Sequence, residues 1–245
     1  MTKTGKLNMR VILNAAASID GRIATCKGDT KISSESDLRR VHILRSKVDA
    51  ILVGITTVIK DNPMLTARRV QNREKISETK DMSRTNPIRI IVDGKAKISL
   101  HSTIVKTADR IETRIAVTKN APPRKLKQLE KLGLKVMVID QDPEKQGRVD
   151  LKKLFDYLER DGISKILVEG GGEINWSLIK NNLFDELIVT ISPLIIGGKN
   201  AISLVGGKGY DTINECAKIK LTKVQKKNTG EIVLYYKNIK KDKIK

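Results

Sequence analysis

Residues 165–180 read KILVEGGGEINWSLIK. A short apolar run ends on one carboxylate, Glu169; Gly170, Gly171 and Gly172 follow, and a helical pattern then begins. Consecutive glycines allow positive φ and let a ligand or another backbone come close. The helix they open carries unsatisfied N–H groups and the positive end of its dipole, which together suit an anion, phosphate above all. The same glycines would equally serve a tight turn packed closely by its neighbours, and the local pattern does not choose between the two. The stretch is not the G-x-G-x-x-G fingerprint. It also lies late in the chain, whereas dinucleotide folds carry their glycine turn in the first βα unit. Glu169 stands at the carboxyl end of a predicted strand, where open α/β sheets place their ligands. It could accept hydrogen bonds from a ligand's N–H or O–H groups; pairing with a nearby Lys or Arg is the plainer alternative.

A second cluster is GITTVIKDNPMLTAR, residues 54–68. A strand again runs into glycine and a short helix, with the hydroxyls of Thr56 and Thr57 at its start, then Asp61, then Arg68. In functional terms the hydroxyls and N–H groups face a cofactor, and Arg68 grips a phosphate with two parallel hydrogen bonds. In plain terms Thr57 caps the helix and Asp61 ends it. A third cluster is IIVDGKAK, residues 90–97, where a strand end turns through Asp93 and Gly94. Lys95 and Lys97 just beyond could meet a nucleotide 2′-phosphate, or water.

The elements that must carry these residues follow from periodicity. MRVILNAAA (9–17) reads as a buried strand, and a polar loop, SIDGRIATCKGDTKIS, follows it. Ser34 with Asp37 three residues later resembles a capping box, so a helix is expected over about 35–47, with Leu38, Val41, His42 and Arg45 on one stripe. Strands are expected at 50–53, 88–92, 114–118, 135–139 and 165–168. Helices are expected at 54–60, 124–132, 151–160 and 174–181. This alternation argues a mostly parallel sheet flanked by helices. The last strands, 186–196, 218–226 and 231–236, have no helix clearly between them, and Lys227-Asn228-Thr229-Gly230 signals a hairpin. The fold class is therefore α/β: one domain with a mixed, mostly parallel sheet and a C-terminal antiparallel hairpin. The core is expected over about 8–238 within a single domain of 1–245. Residues 70–86 read as a polar surface excursion and 239–245 as a basic tail.

The 245 residues suffice for one large α/β domain. Hydrophobic residues make up 39% and aromatics 3%, so the core must rest on Ile, Leu and Val. Two cysteines, Cys26 and Cys216, and two histidines, His42 and His101, make neither a disulfide framework nor a transition-metal site. No apolar run reaches membrane-spanning length and the start lacks a signal-peptide pattern, so a cytoplasmic protein is expected. The net charge of +20 fits solvated lysine faces, a field that draws anionic small molecules, or nucleic-acid binding. The dispersal of the basic residues and the scarcity of aromatics weigh against the last.

Taken together, SIDGRIAT (18–25), LRSKVDAILVGITTVIKDNPMLTAR (44–68), NPIRIIVDG (86–94), ILVEGGGEINWSLI (166–179) and DELIVTISPLIIGG (185–198) resemble the riboflavin-biosynthesis reductases. The resemblance reaches across most of the chain. It implies a dihydrofolate-reductase-like fold, NADPH as cofactor, a homodimer and a phosphorylated diaminopyrimidinone substrate whose ribose is reduced at C1′ to a ribityl chain. No zinc-deaminase signature (His-x-Glu with Pro-Cys-x-x-Cys) occurs in the sequence, so the resemblance is to the stand-alone type. Carried over by position, Thr57, Asp61, Gly94 and the segment Gly170, Gly171, Gly172, Glu173, Ile174, Asn175, Trp176 and Ser177 fall to the cofactor. Gly94 stands where many members have serine. Glu169 falls at a substrate-contacting carboxylate, and Asp29, Arg45, Leu65 and Arg68 fall on the substrate side; the implied reaction also requires a proton transfer, which Asp29 or Glu169 could assist as the catalytic group. Asn14 and Asp20 are expected to line the site. Rival expectations are a dihydrofolate reductase on the same fold and a basic nucleic-acid binder.

Overall fold

The computed structural model describes residues 9–67 and 86–239. In chain order its strands are β1 (Arg10–Ser18), β2 (Arg22–Ala24), β3 (Ala50–Gly54), β4 (Ile88–Val92), β5 (Thr113–Val117), β6 (Leu134–Val138), β7 (Lys165–Val168), β8 (Glu186–Ser192), β9 (Ile202–Ser203), β10 (Ile219–Lys226) and β11 (Ile232–Asn238). The helices are α1 (Glu35–Arg45), α2 (Ile55–Asp61), α3 (Thr103–Lys106), α4 (Pro123–Lys131), α5 (Leu151–Arg160) and α6 (Gly172–Lys180). The chain divides into two compact units, one of Met1–Arg10 with His42–Leu167, the other of Val11–Val41 with Val168–Lys245. The polar excursion and the basic tail expected from sequence fall, but for Asn86 and Ile239, outside the described residues.

In the first unit β3, β4, β5 and β6 pair in succession and in parallel, with Val53 opposite Ile91 and Ile115 opposite Val136. β7 lies beside β3 in the strand order. β3 and β5 are buried along their whole length. Parallel strands covered on both faces read as continuous apolar runs, which is why AILV gave no alternation. β6 closes the order, and its Val138 is exposed. Ile51, Val53, Val58, Ile91, Ile115, Val117 and Leu129 belong to one buried cluster. α5 presents Leu151, Leu154, Phe155 and Leu158 to the interior at helical spacing, as expected, and Asp150 caps its first turn by accepting from the N–H groups of Lys152 and Lys153.

In the second unit β1 pairs with β8 in parallel, β8 with β11 antiparallel and β11 with β10 antiparallel. This is the mixed end expected from sequence, with the turn closed by Lys227 N–H donating to the Glu231 carbonyl and Gly230 left-handed at φ +85°. β8 ends at Ser192, four residues before the predicted limit of 196. The cause is local. Pro193 cannot donate, and both carboxylate oxygens of Asp20 accept the N–H groups of Ile196 and Gly197, at 3.0 and 2.7 Å, drawing the chain away from the ladder. Those bonds, with one from Ser18, hold Asp20 down to a pKa of about 2. Its carboxylate shapes this loop. β2 and β9 form a separate two-stranded ribbon that no periodicity announced.

α1 departs from expectation in an informative way. Its N-terminus is half of a capping box: Ser34 Oγ accepts from the Asp37 N–H at 3.2 Å. Asp37 does not return the bond. Glu231 holds Ser34 instead, accepting its N–H at 2.7 Å and its hydroxyl. The buried side of α1 is not the apolar stripe read from sequence. Leu38 and Ile43 are exposed, whereas Asp37 and Arg40 are buried.

Candidate active site

In the second unit the glycine turn joins β7 to α6. Gly170 has φ +77°, and the Gly170–Gly171 peptide is cis. Gly171 caps α6 in an extended conformation. A Cβ on Gly172 would lie 2.6 Å from the carbonyl oxygen of Ser203. The Gly172 carbonyl accepts from Gly206 N–H at 3.0 Å. Glu173 Oε1 accepts from Gly207 N–H at 2.9 Å, and Asn175 Nδ2 donates to the Leu204 carbonyl at 2.8 Å. A Cβ on Gly207 would strike the Trp176 ring at 2.0 Å, and Trp176 meets Tyr210 edge to face with centroids 5.0 Å apart. Residues 203–210 thus form a strap bound to the first turns of α6. Both sequence alternatives have a part: Gly172 is glycine because the strap packs against it, whereas Gly170 needs its left-handed backbone. Glu173, Asn175 and Trp176 engage the strap through their side chains. What the turn offers a phosphate is the set of N–H groups at the start of α6. The strap was missed in the sequence, although Gly206, Gly207 and Gly209 in LVGGKGY signal backbone approach.

Elsewhere in this unit Glu169 is half-buried immediately before the turn, and Ile174 and Ser177 are likewise half-buried on α6. Asp29 is exposed; its carboxylate accepts from the Lys31 N–H at 3.0 Å, and its own N–H donates to Thr25 Oγ1. Asn14 is buried on β1, its Oδ1 accepting from Arg40 Nη2 at 3.0 Å.

In the first unit α2 is capped by Gly54 without a side-chain bond, so Thr57 lies inside the first turn and is not the cap. Asp61 is the last helical residue, as expected of a terminator, and is exposed. Asn62 then turns left-handed and accepts from the Thr103 N–H at 2.8 Å. The next residues are fixed one after another. The Met64 carbonyl accepts from Arg89 Nη1 at 3.2 Å, and Leu65 is buried with φ +50°. The Thr66 carbonyl accepts from His42 Nδ1 at 2.7 Å and Arg45 Nη1 at 3.1 Å, and Ala67 N–H donates to Asn86 Oδ1. The structure therefore brings Arg45 to the segment holding Leu65. Arg68, which follows, lies outside the described residues. Arg89 was given no role from sequence, though a basic residue inside an apolar strand, IRIIV, was the available signal; His42 was read only as part of the α1 stripe.

Gly94 follows β4. Asp93, buried beside it, accepts from the Ile98 N–H at 2.8 Å; burial pushes its pKa up against the opposing backbone N–H groups. The Gly94 carbonyl accepts from Thr118 N–H and Oγ1. A Cβ on Gly94 would lie 2.3 Å from the Gly147 carbonyl oxygen. The loop at 141–149 thus occupies the space a side chain would need, while Lys95 and Lys97 are exposed. Gly94→Ser is expected to lower stability by about 1–3 kcal/mol, because backbone must yield. Thermal unfolding measures the loss, and amide exchange should quicken at 141–149; an unchanged melting temperature would show that the loop yields freely.

Among the described residues no three His, Cys, Asp or Glu side chains gather to hold a metal ion, and no helix is long and apolar enough to cross a membrane.

The model of the RibD C-terminal domain matches residues 9–233. The chain is 39% identical over 211 residues to the 2,5-diamino-6-ribosylamino-4(3H)-pyrimidinone 5′-phosphate reductase of Methanothermobacter thermautotrophicus, covering 86% of this chain and 90% of that protein. It is 37% identical to the protein of the same name from Archaeoglobus fulgidus, covering 82% and 87%. Among solved structures, RibD of Acinetobacter baumannii superposes with a TM-score of 0.76 at 25% identity, over 96% of this chain and 59% of that one. The likeness bears out the expected fold class, and with the family model spanning residues 9–233 the chain belongs to the RibD C-terminal domain family.

Proposed function

We propose that this protein is an oxidoreductase of riboflavin biosynthesis that uses NADPH. It reduces the ribose of 2,5-diamino-6-(5-phosphoribosylamino)pyrimidin-4(3H)-one to the ribitylamino product. The observation that carries this reading is the 39% identity along 90% of a reductase of that name. A reductase of this kind calls for a nicotinamide nucleotide, and the chain fits one. α6 opens with glycine and no side chain of its cap residue takes up its first N–H groups, which suit a phosphate. Net charge +20 favours an anionic ligand and an anionic substrate. The nucleotide supplies the hydride; the protein binds, orients and manages the proton.

In this proposal Gly170–Ser177 hold cofactor phosphates, chiefly through backbone N–H groups, and Thr57, Asp61 and Gly94 make further cofactor contacts. Arg45 and Arg68 take the ribose phosphate, with Leu65 and Asn14 on the substrate side. Glu169 and Asp29 serve the proton transfer that must accompany hydride delivery to an open imine form of the ribosylamine. A single domain, a homodimer and a cytoplasmic location belong to the same proposal. The test is oxidation of NADPH with the phosphoribosylaminopyrimidine supplied fresh, run against NADH and against dihydrofolate. Turnover with NADPH and the ribosylaminopyrimidine alone is expected. Turnover of dihydrofolate, or none of the ribosylaminopyrimidine, would overturn the assignment.

A further inference from the structure

Behind Asn14 lies a polar cluster to which the family resemblance assigns no role. Arg40 Nε donates to Asp37 Oδ1 at 2.7 Å, and its Nη2 donates to Asn14 Oδ1 at 3.0 Å and to Thr190 Oγ1 at 3.1 Å. Thr190 donates in turn to Asp37 Oδ1 at 2.8 Å. All four side chains are buried; Asp37 is 1% and Arg40 9% exposed. Burying an ion pair against neutral neighbours is costly, and apolar side chains of the same volume would serve the packing as well or better. Arg40 Nη1 and Asp37 Oδ2 are also buried with no hydrogen-bond partner among the described residues, a further cost. A cluster that stabilises so inefficiently suggests another use.

That use follows from the chemistry of the guanidinium. Arginine donates and never accepts, so the atom Asn14 presents to it must be the amide oxygen. The carboxamide is planar, with its NH2 on the opposite edge. Arg40 thereby settles which way the amide faces, a choice the strand alone leaves open. We infer that Arg40, held by Asp37, is a positioning residue: it orients Asn14 so that the amide NH2 donates to a carbonyl or hydroxyl oxygen of the substrate. The inference rests on the proposed reduction and on Asn14 lying on the substrate side.

The experiment is a double-mutant cycle in the full chain. Asp37→Leu with Arg40→Met replaces the whole pair by apolar side chains, which keeps the fold where a single replacement would strand a buried charge. Asn14→Ala removes the amide. Each variant should lose roughly tenfold or more in kcat/KM for the ribosylaminopyrimidine, the worth of one oriented hydrogen bond. NADPH affinity, read by fluorescence titration, should hold within about twofold. The combined variant should lose no more than either alone, since the pair acts through Asn14. Losses that add, unchanged kcat/KM in the pair variant, or equal weakening of NADPH would overturn the inference. If the unmutated protein turns nothing over, the proposed function fails and this inference falls with it; turnover with additive losses overturns this inference alone.

Discussion

Replacing Glu169 by alanine is expected to lower turnover of the ribosylaminopyrimidine by roughly 10²-fold or more, the usual worth of one positioned acid or base. The affinity for NADPH should change far less. The argument joins three observations. Glu169 directly follows Val168, the last residue of β7, and precedes the glycine turn, so it stands at the carboxyl end of a strand. It is half-buried, unlike Asp29, the other carboxylate proposed for this step, which is exposed in a polar loop. The N–H groups proposed for the cofactor belong to the backbone after it and are not touched by the substitution. Glu169→Gln keeps the shape and hydrogen-bonding reach but cannot exchange a proton. If the carboxylate moves a proton, glutamine should be nearly as damaging as alanine. If it only accepts hydrogen bonds from the substrate, glutamine should recover much of the activity. Equal and small losses in turnover and NADPH binding would remove Glu169 from the reaction.

What the sequence revealed and what it hid divide along a physical line. α5 and β7 were placed to the residue, because each buries one local face or one continuous run against its surroundings. That the strands run mostly parallel follows from the alternation of helix and strand; their order, with β7 beside β3, does not. Features set by distant partners were not legible. Gly94 and Gly172 are pinned by Gly147 and Ser203, 53 and 31 positions on (147 − 94 and 203 − 172), and nothing around either glycine names its partner. Hence the glycine turn read equally well as a phosphate cradle or a packing contact, and the structure gives Gly170 and Gly172 different reasons. α1 was misjudged on its buried face for a related reason. The apolar stripe is a sound default, but Asp37 and Arg40 bury because Asn14 and Thr190, on strands remote in sequence, supply partners. β2, β9 and α3 span three, two and four residues, too short for any period to register.

Arg89→Met should be the most destabilising single change in the first unit, at about 3 kcal/mol or more, because it strands several buried carbonyls at once. Arg89 is wholly buried on β4, and among the described residues no carboxylate hydrogen-bonds to it, although the charge of Asp109 acts on it. Its donors go to neutral acceptors instead: the carbonyls of Met64, Ile104 and Ile111 and the hydroxyls of Thr107 and Thr113. Burial pushes its pKa down to about 10, which leaves it charged at neutral pH. Methionine fills much of the volume and relieves the buried charge, yet it donates nothing. Thr107 and Thr113 can fall back on the Thr103 and Ile111 carbonyls that they already reach, whereas among the described residues Arg89 is the side chain that donates to the Met64 and Ile104 carbonyls. Lysine keeps the charge and can meet at most three of these acceptors, so Arg89→Lys should recover part of the loss and no more. The effect should also reach function. Met64 precedes Leu65, which has a left-handed backbone and is proposed for the substrate side, so a variant still folded at low temperature should show a raised KM for the phosphorylated substrate. Substitution of an equally buried aliphatic such as Ile115→Val should lower the melting temperature without that rise. A normal KM in folded Arg89→Met would confine Arg89 to the core.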